Sequence, residues 1–254
     1  MSAHLLKIFR YPIKALSAES LDAVELAAGA GLPHDRRFAI VRRQPGVGPS
    51  GMAPLTRANL FTLAYHERLG ALETRFDPET GVLAIQRNGR QVVRGQISTP
   101  MGRILIDQFL AAYLKDEAPG MPHLVQTSGK PFTDLPHPGV SIVNQASIAD
   151  LEHRITQAPV DVRRFRANLV VDGVPPWEES KWPGRRLRIG PALLEVTASI
   201  QRCAATMVAP GTGTRDLNIP NELVRGTGRN ACGVHARVLV GGPIAPGDPV
   251  EIED

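Results

Sequence analysis

The chain has 254 residues, 43% of them hydrophobic, enough to bury one large core or two smaller ones, which excludes disorder as its default state. Its 22 prolines and 24 glycines interrupt it too often for long helices, and no apolar run nears the ~18 residues a membrane span needs. The net charge of +4 sits in the first part, with 13 Lys/Arg against 8 Asp/Glu up to Gly95 and 16 against 17 beyond. That basic part has no Lys/Arg run with interleaved aromatics and no helix-turn-helix, zinc-finger or RNP pattern, so a small anionic ligand is expected rather than nucleic acid. A solvated basic surface with no partner is the plain alternative. Cys203 and Cys232 are too few for a disulfide scaffold, and residues Met1 to Arg10 lack a signal-peptide core, so a cytoplasmic location is expected.

In chain order, Leu5 to Tyr11 reads as a strand stopped by Pro12. Leu21 to Leu26 alternates at period two as a half-buried strand does, Gly29 to Pro33 turns the chain, and Arg37 to Val41 is a short apolar strand. Gln44 to Pro54 has no periodicity and is expected to be a loop. Leu69 to Arg94 reads as a strand meander, with turns at Asp77 to Gly81 and at Arg87-Asn88-Gly89-Arg90, the second carrying the Asn-Gly hairpin signal.

Helical spacing follows in Gly102 to Leu114, with Ile104, Leu105, Phe109, Leu110 and Leu114 on one side. Pro119 to Pro138 reads as a loop and Val140 to Val143 as a strand. Ser147 is the expected N-cap of a helix with an Ile148, Leu151, Ile155 stripe. Leu169 to Val171, Arg186 to Ile189, Ala192 to Ala198, Ala236 to Val240 and Val250 to Ile252 read as strands. The expected fold is mainly β with a few helices, in two units divided near residues 95 to 100, as 1–97 and 98–254.

Three places concentrate chemistry. Arg163-Arg164-Phe165-Arg166-Ala167-Asn168 crowds the entrance of a strand with guanidinium forks that suit phosphate or carboxylate oxygens; an exposed basic turn with weak surface ion pairs would look the same. Arg202-Cys203 follows a strand end, where a thiol beside an arginine serves as nucleophile or soft metal ligand, or packs as a small apolar residue. One cysteine without a His or Cys partner cannot make a structural zinc site, so any metal is expected within a prosthetic group that brings its own ligands. Cys232 is expected to be packing. Lys14, after the bend at Pro12, and the Arg36-Arg37 pair entering a strand are point charges that would hold a phosphate or remain ordinary surface cations.

These places resemble the MOSC family. Tyr11-Pro12-Ile13-Lys14 and Gly31 to Phe38 are similar to the N-terminal β-barrel unit that precedes many MOSC domains. Arg164 to Val171 through Glu179, Arg202 to Thr206, Pro210 to Gly213, and Gly233 to His235 through Val250 are similar to the MOSC domain in order and spacing. The resemblance implies an N-terminal β-barrel unit followed by a β-barrel-like MOSC domain, with a molybdenum cofactor (Mo-molybdopterin) between them. It implies Cys203 as the metal ligand and Lys14, Arg37, Arg57, Arg166, Asn168, Gln201 and Arg202 as cofactor contacts. Ala15 and Gln201 depart from the family's pattern by replacing hydroxyl donors.

The member type most resembled, the amidoxime-reducing proteins, implies reduction of small N-hydroxylated substrates with electrons from a separate electron-transfer protein, since the chain has no cysteine cluster for an iron-sulfur centre. No pyridoxal phosphate domain, nucleic acid or membrane is expected. Carriage of the cofactor or of sulfur on Cys203, without turnover, is the other reading the same residues allow.

Overall fold

A computed structural model describes residues 2–42, 59–115, 117, 122–127, 129–134 and 137–253. The expected loop Gln44 to Pro54 and the candidate contact Arg57 lie outside the described residues.

The strands are β1 (His4–Arg10), β2 (Glu19–Leu21), β3 (Val24–Leu26), β4 (Phe38–Arg42), β5 (Glu73–Asp77), β6 (Val82–Arg87), β7 (Arg90–Gln96), β8 (Pro122–Gln126), β9 (Val140–Asn144), β10 (Leu169–Asp172), β11 (Arg186–Ile189), β12 (Ala192–Gln201), β13 (Ala231–Val240), β14 (Gly242–Ile244) and β15 (Val250–Glu253). The α-helices are α1 (Pro100–Tyr113), α2 (Gln145–Asp150) and α3 (Ile219–Thr227).

The largest sheet runs β15-β11-β12-β13-β9-β10-β1-β2, antiparallel except where β9 and β10 run parallel. Its first strand in the chain therefore joins its last part: β1 pairs with β10, from His4 opposite Asp172 to Ile8 opposite Leu169. The order is open, with β15 and β2 at its ends. The sheet curls so that the start of β1 meets the segment before β15 through the His4–Pro249 bridge and backbone bonds from Leu5 to Asp248, Gly247 to Leu5 and Val250 to Ala3, without a continuous ladder. Smaller ladders join β14 to β3, β4 to β8, and β5-β6-β7 as a meander.

Alternation along these strands sorts side chains into separate cores. One lies inside the curled sheet around Leu5, Ile142, Trp182, Leu194 and Val234. A second joins the meander, β4, β8 and α1 through Phe38, Ile40, Leu72, Leu83, Ile106 and Leu110. A third lies on the outer side of the sheet, where Phe9, Tyr11, Val143, Phe165 and Cys232 meet the helices through Ile148, Leu151 and Leu223. Each fully buried Leu, Ile or Phe here adds roughly 1.5–3 kcal/mol over exposure.

Several expectations shift. Leu21 to Leu26 divides at Asp22-Ala23, because β2 pairs with β1 while β3 pairs with β14. Glu67–Ala71, at the head of the expected meander, is a 3-10 turn. Within the expected loop Pro119 to Pro138 lies β8, which the partner strand β4 holds in register from Phe38 opposite Gln126 to Arg42 opposite Pro122.

Helix α1 starts at the Thr99 cap, and its core face carries Gly102, Ile106, Leu110 and Tyr113, leaving Ile104 and Leu105 exposed. The expected stripe was displaced because Asp107 also turns inward, accepting from the Leu124 backbone and paired with His123. Asn144, not Ser147, caps α2; Ser147 is buried and donates to Glu179. The stripe of Ile148, Leu151 and Ile155 is buried as expected, although past Asp150 the helix continues as a π-turn. Helix α3 was not anticipated; Asn218 caps it and Gly228 ends it with φ 75°.

Candidate functional site

The first strand ends at Arg10, and Pro12 bends the chain so that the Tyr11 carbonyl accepts from Arg36 N–H while Tyr11 N–H donates to Asp35 Oδ1. Two guanidiniums then lie over the Tyr11 ring, Arg36 at 4.6 Å and Arg166 at 4.4 Å. Arg36 pairs with Asp35 and donates through Nη2 to the Arg166 carbonyl at 2.6 Å. Arg166 donates through Nη1 to the Leu16 carbonyl, and its Nη2 is buried without a partner. Among the described residues no carboxylate lies within ion-pair distance of Arg166. Burial and the neighbouring Arg36 charge pull its pKa down to about 10.

Lys14 joins this cluster as a tethered cation, its Nζ donating to the Phe132 carbonyl at 3.0 Å and to Asp134 at 3.2 Å. Burial lowers its pKa, Asp134 opposes that, and Arg166 and Arg36 lower it further. The backbone around the cluster is held in the left-handed region at four non-glycine residues, Ala15 (φ 73°), His34 (62°), Arg36 (46°) and Arg166 (52°). Each such residue costs on the order of 1–3 kcal/mol, which the surrounding hydrogen bonds and packing sustain.

Cys203 lies on a pinned segment whose Arg202 reaches toward this cluster. The Arg202 fork is buried and donates through Nε and Nη2 to the Cys232 carbonyl and through Nη1 to the Phe165 carbonyl, the peptide that leads into Arg166. Arg202 N–H donates to the Asn230 carbonyl, and Asn230 Nδ2 returns a bond to the Arg202 carbonyl at 2.7 Å. The Cys203 carbonyl accepts from Thr206 N–H and Oγ1, starting a 3-10 turn, and the residue itself is exposed. Past that turn the chain meets the 3-10 turn Glu67–Ala71: Gly211 N–H donates to the Gly70 carbonyl at 2.8 Å. Gly213 has φ 69°, and a Cβ there would meet the Glu67 carbonyl at 2.8 Å, so this segment requires glycine. Arg164 closes the loop from within, donating to the Met207 carbonyl and to both oxygens of Asp216.

The expected site residues thus divide. Lys14 and Arg166 belong to one cationic cluster, and Cys203 follows Arg202, which reaches the Phe165 carbonyl at its edge. Arg202 itself serves as a backbone staple. Asn168 is fully engaged, its Oδ1 accepting from Ser141 N–H and Oγ and its Nδ2 donating to the Phe9 carbonyl, so it stitches β1 to β9. Arg37 engages His34 at 2.9 Å and the Gln126 amide, whose oxygen accepts from its Nε and Nη2. Its neighbour Arg36 is the one that enters the cluster. Gln201 is exposed on the last position of β12, opposite Ala231. Cys232 is buried, and burial pushes its thiol up to about 12.

Tyr11 and His235 are residues that sequence reasoning left without a role, while Arg36, offered only as one of a basic pair, is the member of that pair that enters the cluster. The alternation of β13 places His235 opposite to the core residue Val234, and its Nδ1 is buried without a partner. Burial, then Arg202 and Arg36, pull its pKa down to about 4, with Asp134 opposing. The imidazole is therefore neutral at neutral pH. Among the described residues no three His, Cys, Asp or Glu side chains converge, so a metal held at Cys203 needs further ligands from a bound group.

Residues 131–251 match the profile of the MOSC domain and residues 2–119 that of the MOSC N-terminal beta barrel domain. Among curated proteins, the chain is similar to mitochondrial amidoxime reducing component 2 of Bos taurus, at 36% identity over 86 residues, covering 34% of this chain and 25% of that protein. It is also similar to molybdenum cofactor sulfurase of Caenorhabditis briggsae, at 28% identity over 223 residues, covering 85% of this chain and 30% of that protein. The chain spans about a quarter to a third of the length of these relatives. Among solved structures it is similar to the YuaD protein from Bacillus subtilis, with a TM-score of 0.48 and 12% identity over 100% of this chain and 97% of the other.

Proposed function

The chain belongs to the MOSC family, with the N-terminal β-barrel domain ahead of the MOSC domain, and on that premise we propose that it is a molybdenum-cofactor-binding oxidoreductase that reduces N-hydroxylated compounds. The observation that carries this reading is an exposed thiol, Cys203, next to Arg202, whose fork reaches the Phe165 carbonyl at the edge of a half-buried cationic cluster where Arg166 has no carboxylate partner among the described residues. The chemistry of that donor set fits a group with an anionic phosphate and a thiophilic metal: guanidinium and ammonium donors for the phosphate, a thiolate for the metal. When bound, such a group supplies two-electron reduction, by which the N–O bond of the substrate breaks and, with two protons, the oxygen leaves as water.

The chain's own residues bind and orient. Arg166, Arg36 and Lys14 hold the anionic end, and Arg202 fixes the peptide that carries the Cys203 sulfur without itself offering free donors on Nε. The neutral His235 leaves that end of the cluster without an added charge. The relative named for amidoxime reduction supports the substrate class. Electrons come from a separate protein, and the basic first part of the chain, 13 Lys/Arg against 8 Asp/Glu, supports an acidic docking partner. Reduction rates then fall as ionic strength rises; rates indifferent to salt overturn the docking.

Delivery of the cofactor, or of sulfur on Cys203, without turnover is the second reading. It is favoured by a specific observation: the relative named as a sulfurase aligns over 85% of this chain, against 34% for the amidoxime-reducing one.

The deciding experiment measures molybdenum and pterin in protein purified without oxygen from a cofactor-producing host, wild type beside Cys203→Ser, followed by reduction of a simple amidoxime with an artificial reductant. Near-stoichiometric metal that Cys203→Ser loses, with turnover, supports the reductase. Loading without turnover supports delivery, and no metal or pterin in either protein ends the cofactor reading.

A further inference from the structure

Cys203 is the N-cap of a 3-10 turn of four residues, Ala204–Met207, and its own carbonyl closes that turn by accepting from Thr206 N–H and Oγ1. A single 3-10 turn is too short to hold itself, so whatever fixes its other carbonyls decides how firmly the residue at its start is placed. Before Cys203, the Arg202 fork is tied to the Cys232 and Phe165 carbonyls. After it, two arginines hold the turn. Arg164 donates to the Met207 carbonyl at 3.1 Å, and Arg215 lays its guanidinium along the rest, with Nη1 3.5 Å from the Ala204 carbonyl and 4.0 Å from Met207 Sδ.

Arg215 reaches the turn because the chain doubles back. Ala209 N–H donates to the Thr214 carbonyl at 2.8 Å, Gly213 N–H to the Ala209 carbonyl at 3.0 Å, and Val208 and Arg215 form an antiparallel bridge. The other donors of the guanidinium leave the turn altogether: Nη2 donates to the Ala64 carbonyl at 2.7 Å and Nε to Glu67. One side chain therefore joins the turn that Cys203 starts to residues 151 and 148 positions earlier in the chain. Arg215 and Glu67 are both partly exposed, and ion pairs of that kind add little to global stability, so the contact acts locally, on the turn.

We propose that Arg215 is a positioning residue for Cys203, holding the turn that follows the thiol and coupling it to residues 64–67. The proposal rests on Cys203 being the working thiol, which the reductase and delivery readings share, and it assigns Arg215 no contact with cofactor or substrate.

The test follows wild type, Arg215→Gln, Glu67→Gln and the double variant as full chains. The urea midpoint of each single variant moves by less than about 0.5 M. Exchange of the Thr206 amide, which bonds the Cys203 carbonyl, becomes roughly three-fold faster in Arg215→Gln, the equivalent of one weak hydrogen bond, while the Arg202 amide keeps its wild-type rate. Alkylation of Cys203 by iodoacetamide, read against a Cys203→Ser blank and with Cys232 buried, becomes about two-fold faster and approaches the rate of the unfolded chain, because a loosened turn no longer restricts the approach to sulfur. Glu67→Gln gives a smaller change in the same direction and adds nothing in the Arg215→Gln background, since its carboxylate acts through Arg215. Faster Thr206 exchange with unchanged alkylation makes Arg215 merely structural and overturns the proposal. So do wild-type rates in both readouts, or a fall in the urea midpoint that speeds the Arg202 amide equally. Molybdenum and pterin content of the same preparations keeps the two failures apart: protein that takes up neither ends the cofactor reading, while the alkylation and exchange rates still decide the role of Arg215.

Discussion

Arg202 is buried and Arg166 half-buried with its Nη2 enclosed, both lie over an aromatic ring, and both sit at strand boundaries in the same half of the chain, yet their hydrogen bonds differ in kind. Arg202 directs three donating nitrogens at the carbonyls of Cys232 and Phe165. Arg166 gives one to Leu16 and leaves Nη2 unmatched, on a left-handed backbone, against a second guanidinium. A guanidinium whose fork is filled by carbonyls is part of the scaffold. One that is desolvated, uncompensated and partly unpaired stores interaction free energy that only a ligand recovers. The same contrast separates Asn168, filled by Ser141 and Phe9, from Tyr11, whose hydroxyl has no partner.

The largest expected effect breaks the scaffold side of that contrast. Arg202→Ala strips the Cys232 and Phe165 carbonyls of charge-assisted bonds in a buried site and costs about 4 kcal/mol, read from urea unfolding. Arg202→Lys retains the charge, not the fork, and recovers only part of that loss. A cost under about 1 kcal/mol would show that the staple holds nothing. Asn168→Ala comes next at about 2–3 kcal/mol, because Ser141 Oγ and the Phe9 carbonyl lose their buried partner and β1 loosens from β9. A double substitution with Ser141→Ala then costs less than the sum of the two, since both remove the same contact.

How much of this was legible in the sequence follows the same division. The family pattern singled out Lys14, Arg166, Asn168, Arg202 and Cys203 as site residues, of which Asn168 and Arg202 have their side chains filled by the scaffold, and period-two alternation found most strands, because both are local signals. What the sequence could not carry was direction. In Asp35-Arg36-Arg37 nothing adjacent distinguishes the arginine that meets Tyr11 from the one that meets Gln126; the left-handed turn at Arg36 decides it, and that turn is set by contacts 24 to 130 residues away in the chain. The stripe of α1 was misphased because Asp107, polar in sequence, is drawn inward by the Leu124 backbone. Strand β8 hid in a proline-rich passage because its partner β4, not its own composition, makes it a strand. Asn144, at the end of an apolar strand, capped α2 in place of Ser147 because Ser147 was needed by the buried Glu179.

A smaller effect reads the cluster through pH. His235 has a pKa of about 4 in the folded chain against an ordinary 6.5, so between those values the unfolded chain binds the extra proton. Stability is therefore full above about pH 6.5 and declines as pH falls toward 4. Two and a half pKa units set a ceiling of about 3 kcal/mol, and the imidazole's partial exposure brings the expected loss to about 1–2 kcal/mol. His235→Gln flattens that part of the profile; a profile unchanged by the substitution would place the titration elsewhere. The groups that face the imidazole are Arg202, Arg36 and Asp134, so an anion in the cluster raises the His235 pKa and shrinks the loss.

The smallest change in stability is expected where the change in binding is largest. Arg166→Gln removes a desolvated charge that lies against Arg36 and Lys14, at the loss of one bond to the Leu16 carbonyl. Relief of repulsion offsets the lost cation–π contact with Tyr11, so the unfolding free energy stays within about 0.5 kcal/mol of wild type or rises. Cofactor content in protein from a cofactor-producing host falls ten-fold or more, as one charge-assisted contact to an anion of roughly 1.5–3 kcal/mol requires. The pair Arg202→Ala and Arg166→Gln thus separates folding from binding with two substitutions of one residue type. If Arg166→Gln unfolds the protein as readily as Arg202→Ala does, both arginines are scaffold, and the cluster has no charge held in reserve for a ligand.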